Sequence, residues 1–205
     1  MKNCNTKNKI VEEATDLFYK YGFARASIRD IVGAVGVTNS TFYSHFKNKD
    51  EILYKIIEDI GLILITTITE ASEMNEDPVK CLREMIFRQA CLIREKRKQI
   101  KIYIEEQYQL PVYLRKQALK QHRRIYDIYF NKICEIKEKG FTHDIDSTVM
   151  TFSVFAILNW SYRWFRDDGR LSIEQVAEHM IRVSFSGIFK EQVLKEKYQQ
   201  LLAAS

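Results

Sequence analysis

Ser27–Lys49 reads SIRDIVGAVGVTNSTFYSHFKNK, and the fold turns on how this stretch is understood. Ile28, Ile31, Val32 and Val35 stand at i, i+3, i+4 and i+7, one face of a short helix. Ser27 takes the N-cap position, and Asp30 three residues on makes a variant capping box. Gly36 supplies the positive φ of a tight turn, and Val37 plugs the angle to the next helix. Thr38 caps that second helix, whose outer side offers Asn39, Ser40, Thr41, Tyr43, Ser44 and His45 while Phe42 and Phe46 turn inward. A short helix, a glycine turn and a second helix crowded with small hydrogen-bonding side chains is the pattern of a helix-turn-helix, a device for reading DNA.

The flanks extend the pattern. Upstream, Ile10, Val11, Ala14, Leu17, Phe18 and Tyr21 mark an amphipathic helix that stops at Gly22, with Phe23 as an anchor beyond it. Downstream, Lys47-Asn48-Lys49-Asp50 caps a fourth helix. Behind such a helix, the array GFARASIRDIVGAVGVTNSTFYSHFKNKDEIL closely resembles the N-terminal domain of the TetR family of bacterial repressors, residue by residue over roughly 10–53. On this reading Thr38, Asn39 and Thr41 enter the major groove. Ser27, Tyr43, His45 and Lys49 meet phosphates around it, and Arg29 and Ser40 complete the DNA-facing set.

Charge agrees with this placement. Net charge is +5, and residues 1–49 hold eight Lys/Arg against four Asp/Glu, so most of the excess sits where phosphates are to be met. Seven glycines and two prolines in 205 residues argue for long helices over sheet and turn. Cys4, Cys81, Cys91 and Cys134 are scattered without CxxC spacing and read as small hydrophobes in a reducing cytosol, not as disulfides or metal ligands. Glycine-rich phosphate loops, HExxH and GxSxG are missing, and His45, His122, His143 and His179 have no paired acid or cysteine at ligand spacing. Neither an enzyme nor a bound cofactor is indicated. The N-terminus lacks a signal-peptide core, and the longest uncharged run, residues 147–162, falls short of the roughly 20 apolar residues of a membrane helix. A soluble, cytoplasmic protein without membrane contact follows.

Periodicity and breakers place the rest on helices. Met1–Asn8 reads as a loose arm whose Lys2 and Lys7, with Lys9, could touch phosphate. Helices are predicted over about 9–21, 50–74 and 79–95, then around Ile102–Gln107, and over about 112–139, 146–167 and 172–198. With the two of the reader this makes an all-α chain of about nine helices. The expected division is a DNA-binding domain at 1–50 and a larger ligand-binding and dimerisation domain at 51–205.

The segment 149–165 is apolar on almost every face, so it is deep core or is shared with a second copy. A single helix-turn-helix reaches one half-site, and two-fold pairing delivers two readers to successive major grooves. Trp160, Trp164, Val176, Met180, Val183, Phe185 and Gly187 are assigned to that homodimer interface. Phe87, Tyr103, Tyr108, Tyr113, Tyr126, Tyr129, Phe130, Phe152, Phe155 and Trp160 are predicted to gather in the middle of the body, mostly as core.

Residues 88–124 carry eleven Lys/Arg against three Glu, which suits either a solvated face or a polyanionic ligand with an apolar tail. A second resemblance bears on the choice. AILNWSYRWFRDDGRLSIEQVAEHMIRVSFSGI, residues 156–188, looks like the corresponding segment of TetR-family regulators of fatty-acid, sterol and aromatic-acid catabolism, which commonly sense acyl-CoA thioesters. Helix faces then suggest Arg88, Arg94, Arg97, Lys98, Arg123 and Arg124 at the phosphates. Tyr103, Gln107, Tyr126, Phe130, Phe155 and Asn159 would lie along the acyl chain.

The expectation is a dimeric repressor on a palindromic operator, released by an acyl-CoA-like effector. Its rivals are a regulator of drug efflux sensing lipophilic compounds, and a structural DNA-binding protein with no effector.

Overall fold

The computed structural model describes residues 2–198, with side chains from Thr6 onward other than that of Lys197; the side chains of Lys2 and Cys4 lie outside the described residues. Nine α-helices and one 3₁₀ turn make up this part: α1 Lys2–Tyr21, α2 Ile28–Val35, α3 Asn39–Tyr43, α4 Lys49–Glu73, α5 Pro78–Glu105, the turn Gln107–Gln109, α6 Val112–Glu138, α7 Ser147–Trp164, α8 Ile173–Ile188 and α9 Glu191–Lys197. No strand occurs among the described residues, only an isolated bridge between Thr142 and Phe189. The all-α expectation holds. The loose arm does not, because residues 2–8 belong to α1.

Local chemistry sets the boundaries. Asp77 accepts from Val79 N–H at 2.9 Å just before Pro78, whose missing N–H costs nothing in a first turn. Lys96 leaves helical geometry inside α5 (φ −117°, ψ 17°), which kinks it where a break between two helices is predicted. Asp146 accepts from Thr148 N–H and Val149 N–H to start α7. Ser172 and Gln175 cap α8 reciprocally as a capping box. The last helix is predicted unbroken to about residue 198, but the chain turns extended at Phe189 and Lys190 before α9.

The described residues form two compact units, one of residues 2–63 and 96–122, the other of 64–95 and 123–198. The first centres on Ile10, Ala14, Phe18, Ile31, Phe42, Ile52 and Leu53, all fully buried. The second centres on Leu82, Met85, Ile86, Tyr129, Ile133, Ala177, Ile181 and Phe185. A buried side-chain hydrogen bond there joins Tyr129 Oη, which donates at 2.9 Å, to Gln89 Oε1. Leu62 and Ile63, in the apolar middle of α4, are exposed. Tyr108, Tyr113 and Phe152, expected in the core, are exposed as well: each sits on the outer face of its turn or helix while neighbours such as Leu110, Leu114 and Val154 take the inner one. No described helix is long and apolar enough to cross a membrane.

Candidate functional site

The reader is held by its own short-range hydrogen bonds. Ser27 N–H donates to Asp30 Oδ2 at 2.9 Å and Asp30 N–H donates to Ser27 Oγ at 3.2 Å, closing the capping box of α2. The Ser27 hydroxyl, which donates to Asp30 Oδ2 at 2.6 Å, and then the Ser27 N–H hold the Asp30 carboxyl below its usual range. Gly36 takes φ +74°, and its N–H and that of Val37 both return to Val32 O. That left-handed C-cap is cheap for glycine and strained for other residues. Thr38 Oγ1 accepts from Thr41 N–H at 3.1 Å to start α3. Phe42 and Phe46 anchor the inner side, with ring centroids 6.3 Å apart. Asn39, Ser40 and Tyr43 are left exposed on one short helix, flanked by Thr38 and Ser44, and Ser27 and Arg29 are exposed on α2. Thr41 and His45 are half-buried.

Lys49 departs from its expected place. Its Nζ donates to Phe23 O at 2.6 Å and Ala26 O at 2.8 Å and lies 4.2 Å from the centre of the Phe23 ring. Partial burial pulls its pKa down. The side chain braces the loop between α1 and α2, so a phosphate contact has only its third N–H to use. Phe23 N–H in turn donates to Glu106 Oε1 at 3.3 Å. Lys98 and Lys101 add two further ties from α5 to α1, to Asp16 Oδ1 (2.6 Å) and Tyr19 O (3.1 Å). Glu106 and Lys101 carry no sequence signal of these roles, because the contacts span about 80 residues.

Four of the basic residues suggested for phosphate are drawn into ion pairs. Arg88 pairs with Glu84 at 2.7 Å, Arg94 with Glu174 at 3.4 Å, Lys98 with Asp16, and Arg123 with Asp127 at 2.9 Å. Arg97 is half-buried and Arg124 exposed. Within the second unit Tyr126 stacks on Phe130 at 5.4 Å, lies 6.5 Å from Phe155 and carries the Arg123 guanidinium at 5.1 Å, while Asn159 is exposed. Within the first unit Tyr103 and Gln107 are buried, at 5% and 7% exposure. Tyr103 lies flat on His122, with centroids 4.2 Å apart. Sequence reasoning gives His122 and Gln121 no place in a site, since neither residue type nor spacing distinguishes them there.

Helix α7 presents a continuous outer stripe of Val149, Phe152, Ala156, Trp160 and Trp164, and α8 adds Val183 and Gly187. Val176, Met180 and Phe185 do not join it: they are at most 4% exposed and face the core of their own chain. This corrects their assignment to an interface. Around Gly187 nothing lies within 4 Å of the point where a Cβ would stand, so the backbone there is open to close approach. Among the described residues no group of His, Cys, Asp or Glu has the arrangement of a metal site.

Two family models match the chain. The family model described as "Bacterial regulatory proteins, tetR family" matches residues 10–56, and that described as "Tetracyclin repressor-like, C-terminal domain" matches 75–188. The HTH-type transcriptional repressor KstR2 of Mycobacterium tuberculosis is 24% identical over 192 residues, covering 91% of this chain and 94% of that protein. The TetR family transcriptional regulator PfmR of Thermus thermophilus superposes with a TM-score of 0.81 at 27% identity, over 88% of this chain and 99% of that one. AibR, solved in complex with isovaleryl coenzyme A and operator DNA, gives a TM-score of 0.81 at 25% identity, over 87% and 97% of the two chains.

Proposed function

The chain belongs to the TetR family of bacterial transcriptional regulators, and from that premise we propose that it is a cytoplasmic homodimeric repressor released from a palindromic operator by an acyl-CoA thioester. Residues 1–50 would read DNA, and 51–205 would hold the effector and the partner copy. The observation that carries the effector is the likeness, along nearly the whole chain, to a regulator crystallised with isovaleryl coenzyme A.

The physical chemistry of the residues supports the reading. Exposed ion pairs such as Arg94–Glu174 and Arg123–Asp127 contribute only ~0–1 kcal/mol, so a phosphate displaces the carboxylate at little cost. Tyr126, Phe130 and Phe155 offer aromatic surface to an acyl chain. A ligand shifts an equilibrium only by its differential affinity for the two states, so ~100-fold release needs about 2.7 kcal/mol of preference. Three or four methylenes buried only in the released state, at ~0.8 kcal/mol each, supply that. The acyl part would therefore set the response, and the coenzyme A part mainly the affinity.

A panel of acyl-CoA thioesters, the matching free acids and free coenzyme A, read as release of protein from operator DNA, tests the proposal. Thioesters of a narrow range of chain length should release it and free acids should not. Acids acting as well as thioesters would remove the role of the basic side chains, and release by lipophilic drugs alone would replace the effector class.

On the DNA side, Thr38, Asn39 and Thr41 would meet base edges, and Ser27, Arg29, Ser40, Tyr43 and His45 would lie nearer the phosphates. Asn39→Ala should cost ~1–3 kcal/mol on operator DNA per lost base contact and leave binding to random DNA nearly unchanged. Parallel titrations on operator and scrambled duplexes measure this, and equal losses on both would move Asn39 to the backbone.

A further inference from the structure

We infer that Tyr103, Gln107 and His122 together bind a hydroxyl group of the effector. The inference rests on the reading that this chain takes a small-molecule effector, but not on that effector being a thioester. Three buried polar atoms, Tyr103 Oη, Gln107 Oε1 and His122 Nε2, have no hydrogen-bond partner. Buried polar groups are almost always paired, because each one left alone forfeits its hydration without return. The three orphans lie in one compact unit. The Tyr103 and His122 rings stack at 4.2 Å, and Gln107, four residues after Tyr103, opens the 3₁₀ turn that follows α5.

Chemistry narrows what fills the site. Gln107 Oε1 only accepts, so the ligand must donate; Tyr103 Oη donates or accepts; a neutral imidazole nitrogen does one or the other according to tautomer. Burial keeps His122 neutral, with its pKa drawn down to about 4. The trio holds no cation for a carboxylate or phosphate and no anion for an amine, and burying an unpaired charge is prohibitive. A carbonyl would leave Gln107 Oε1 unmet. A hydroxyl gives one donor to Gln107 and takes donors from Tyr103 and His122 on its lone pairs.

The site borders two structural ties in the same unit. Glu106, between Tyr103 and Gln107, accepts from Phe23 N–H at the entry to the reader. Gln121, beside His122, donates through Nε2 to Glu58 O at 3.1 Å and occupies the space over Gly61. A Cβ at Gly61 would come within 2.8 Å of the Gln121 Cδ, so α4 and α6 approach here at the distance that glycine allows.

The experiment compares hydroxylated ligands with their deoxy counterparts of equal length. The hydroxyl is moved along the chain, once as coenzyme A thioesters and once as free acids, and calorimetry and operator release are measured with the full-length protein. At one hydroxyl position the hydroxylated member should bind roughly 10- to 100-fold tighter than its deoxy partner. Tyr103→Phe should reduce that preference to within about threefold, and Gln107→Leu should abolish or reverse it by improving the deoxy ligand. A merely structural role would weaken both members equally, and thermal melts identify a variant that has lost its fold. Binding of both members without preference at any position would overturn the inference and leave the thioester reading intact. A hydroxyl preference among the acids, with thioesters no better, would support the inference and remove the thioester. If neither series binds, both fall.

Discussion

Val183→Asp is expected to give a monomer whose operator affinity falls by at least about 10²-fold while its own thermal stability barely changes. Val183 is 63% exposed on α8, and the α7 stripe in the same unit exposes Trp160 at 58% and Trp164 at 51%. So much exposed aromatic surface is costly in water at roughly 25 cal/mol per Å², and a second copy of the same face is the simplest cover. In a two-fold interface each substitution occurs twice, so Val183→Asp would place two unpaired carboxylates in one apolar contact. A monomer retains one reader and binds near the non-specific range, ~10⁻⁴–10⁻⁶ M, against ~10⁻⁸–10⁻¹¹ M for a specific dimer. As the control, Phe185→Ala lies wholly in the core and should cost ~3–5 kcal/mol of protomer stability. Sedimentation velocity and a duplex titration give the result. A wild type that sediments as a monomer at micromolar concentration would sink the dimer.

The contrast between Val183 and Phe185 also shows how far a sequence carries. The segments 149–165 and 173–188 are apolar enough to announce two buried faces, but periodicity alone does not say which face belongs to the chain and which to a partner. By residue type Phe185, Val176 and Met180 suit an interface as well as Val183 does, and only packing of α7 on α8 separates them. The reader is legible in detail because its determinants are local. Ser27 with Asp30, Gly36 with Val32, and Thr38 with Thr41 are all pairs within four residues. Tyr103 with His122 and Glu106 with Phe23 are not. Their partners are chosen by tertiary approach, which leaves no spacing to read.

Lys49→Met is expected to lower the melting temperature by about 5–20 °C and to weaken operator and random DNA together. Its sequence position predicts a phosphate contact for Lys49, and its geometry adds a brace. Two carbonyl oxygens, of Phe23 and Ala26, accept from its ammonium, which also lies against the Phe23 ring. Methionine keeps most of the stem but removes every donor. The two carbonyls then lose charge-assisted partners in a half-buried loop, at about 1–2 kcal/mol each, with ~0.5–1 kcal/mol more from the cation–π contact. At ~2–4 °C per kcal/mol for a chain of this size, the sum gives the shift stated. The loop sets α1 against α2, so its loosening spoils the reader whatever the DNA sequence. Lys49→Arg should recover little of the brace, because a planar guanidinium cannot aim two donors as a compact ammonium does. Salt dependence separates the roles: loss of one phosphate contact reduces the slope of log K against log salt by about one, while loss of the brace alone leaves the slope unchanged. A Lys49→Met protein that melts like the wild type but shows the smaller slope would return Lys49 wholly to the phosphate. A lower melting temperature with an unchanged slope would make it wholly a brace of the α1–α2 loop.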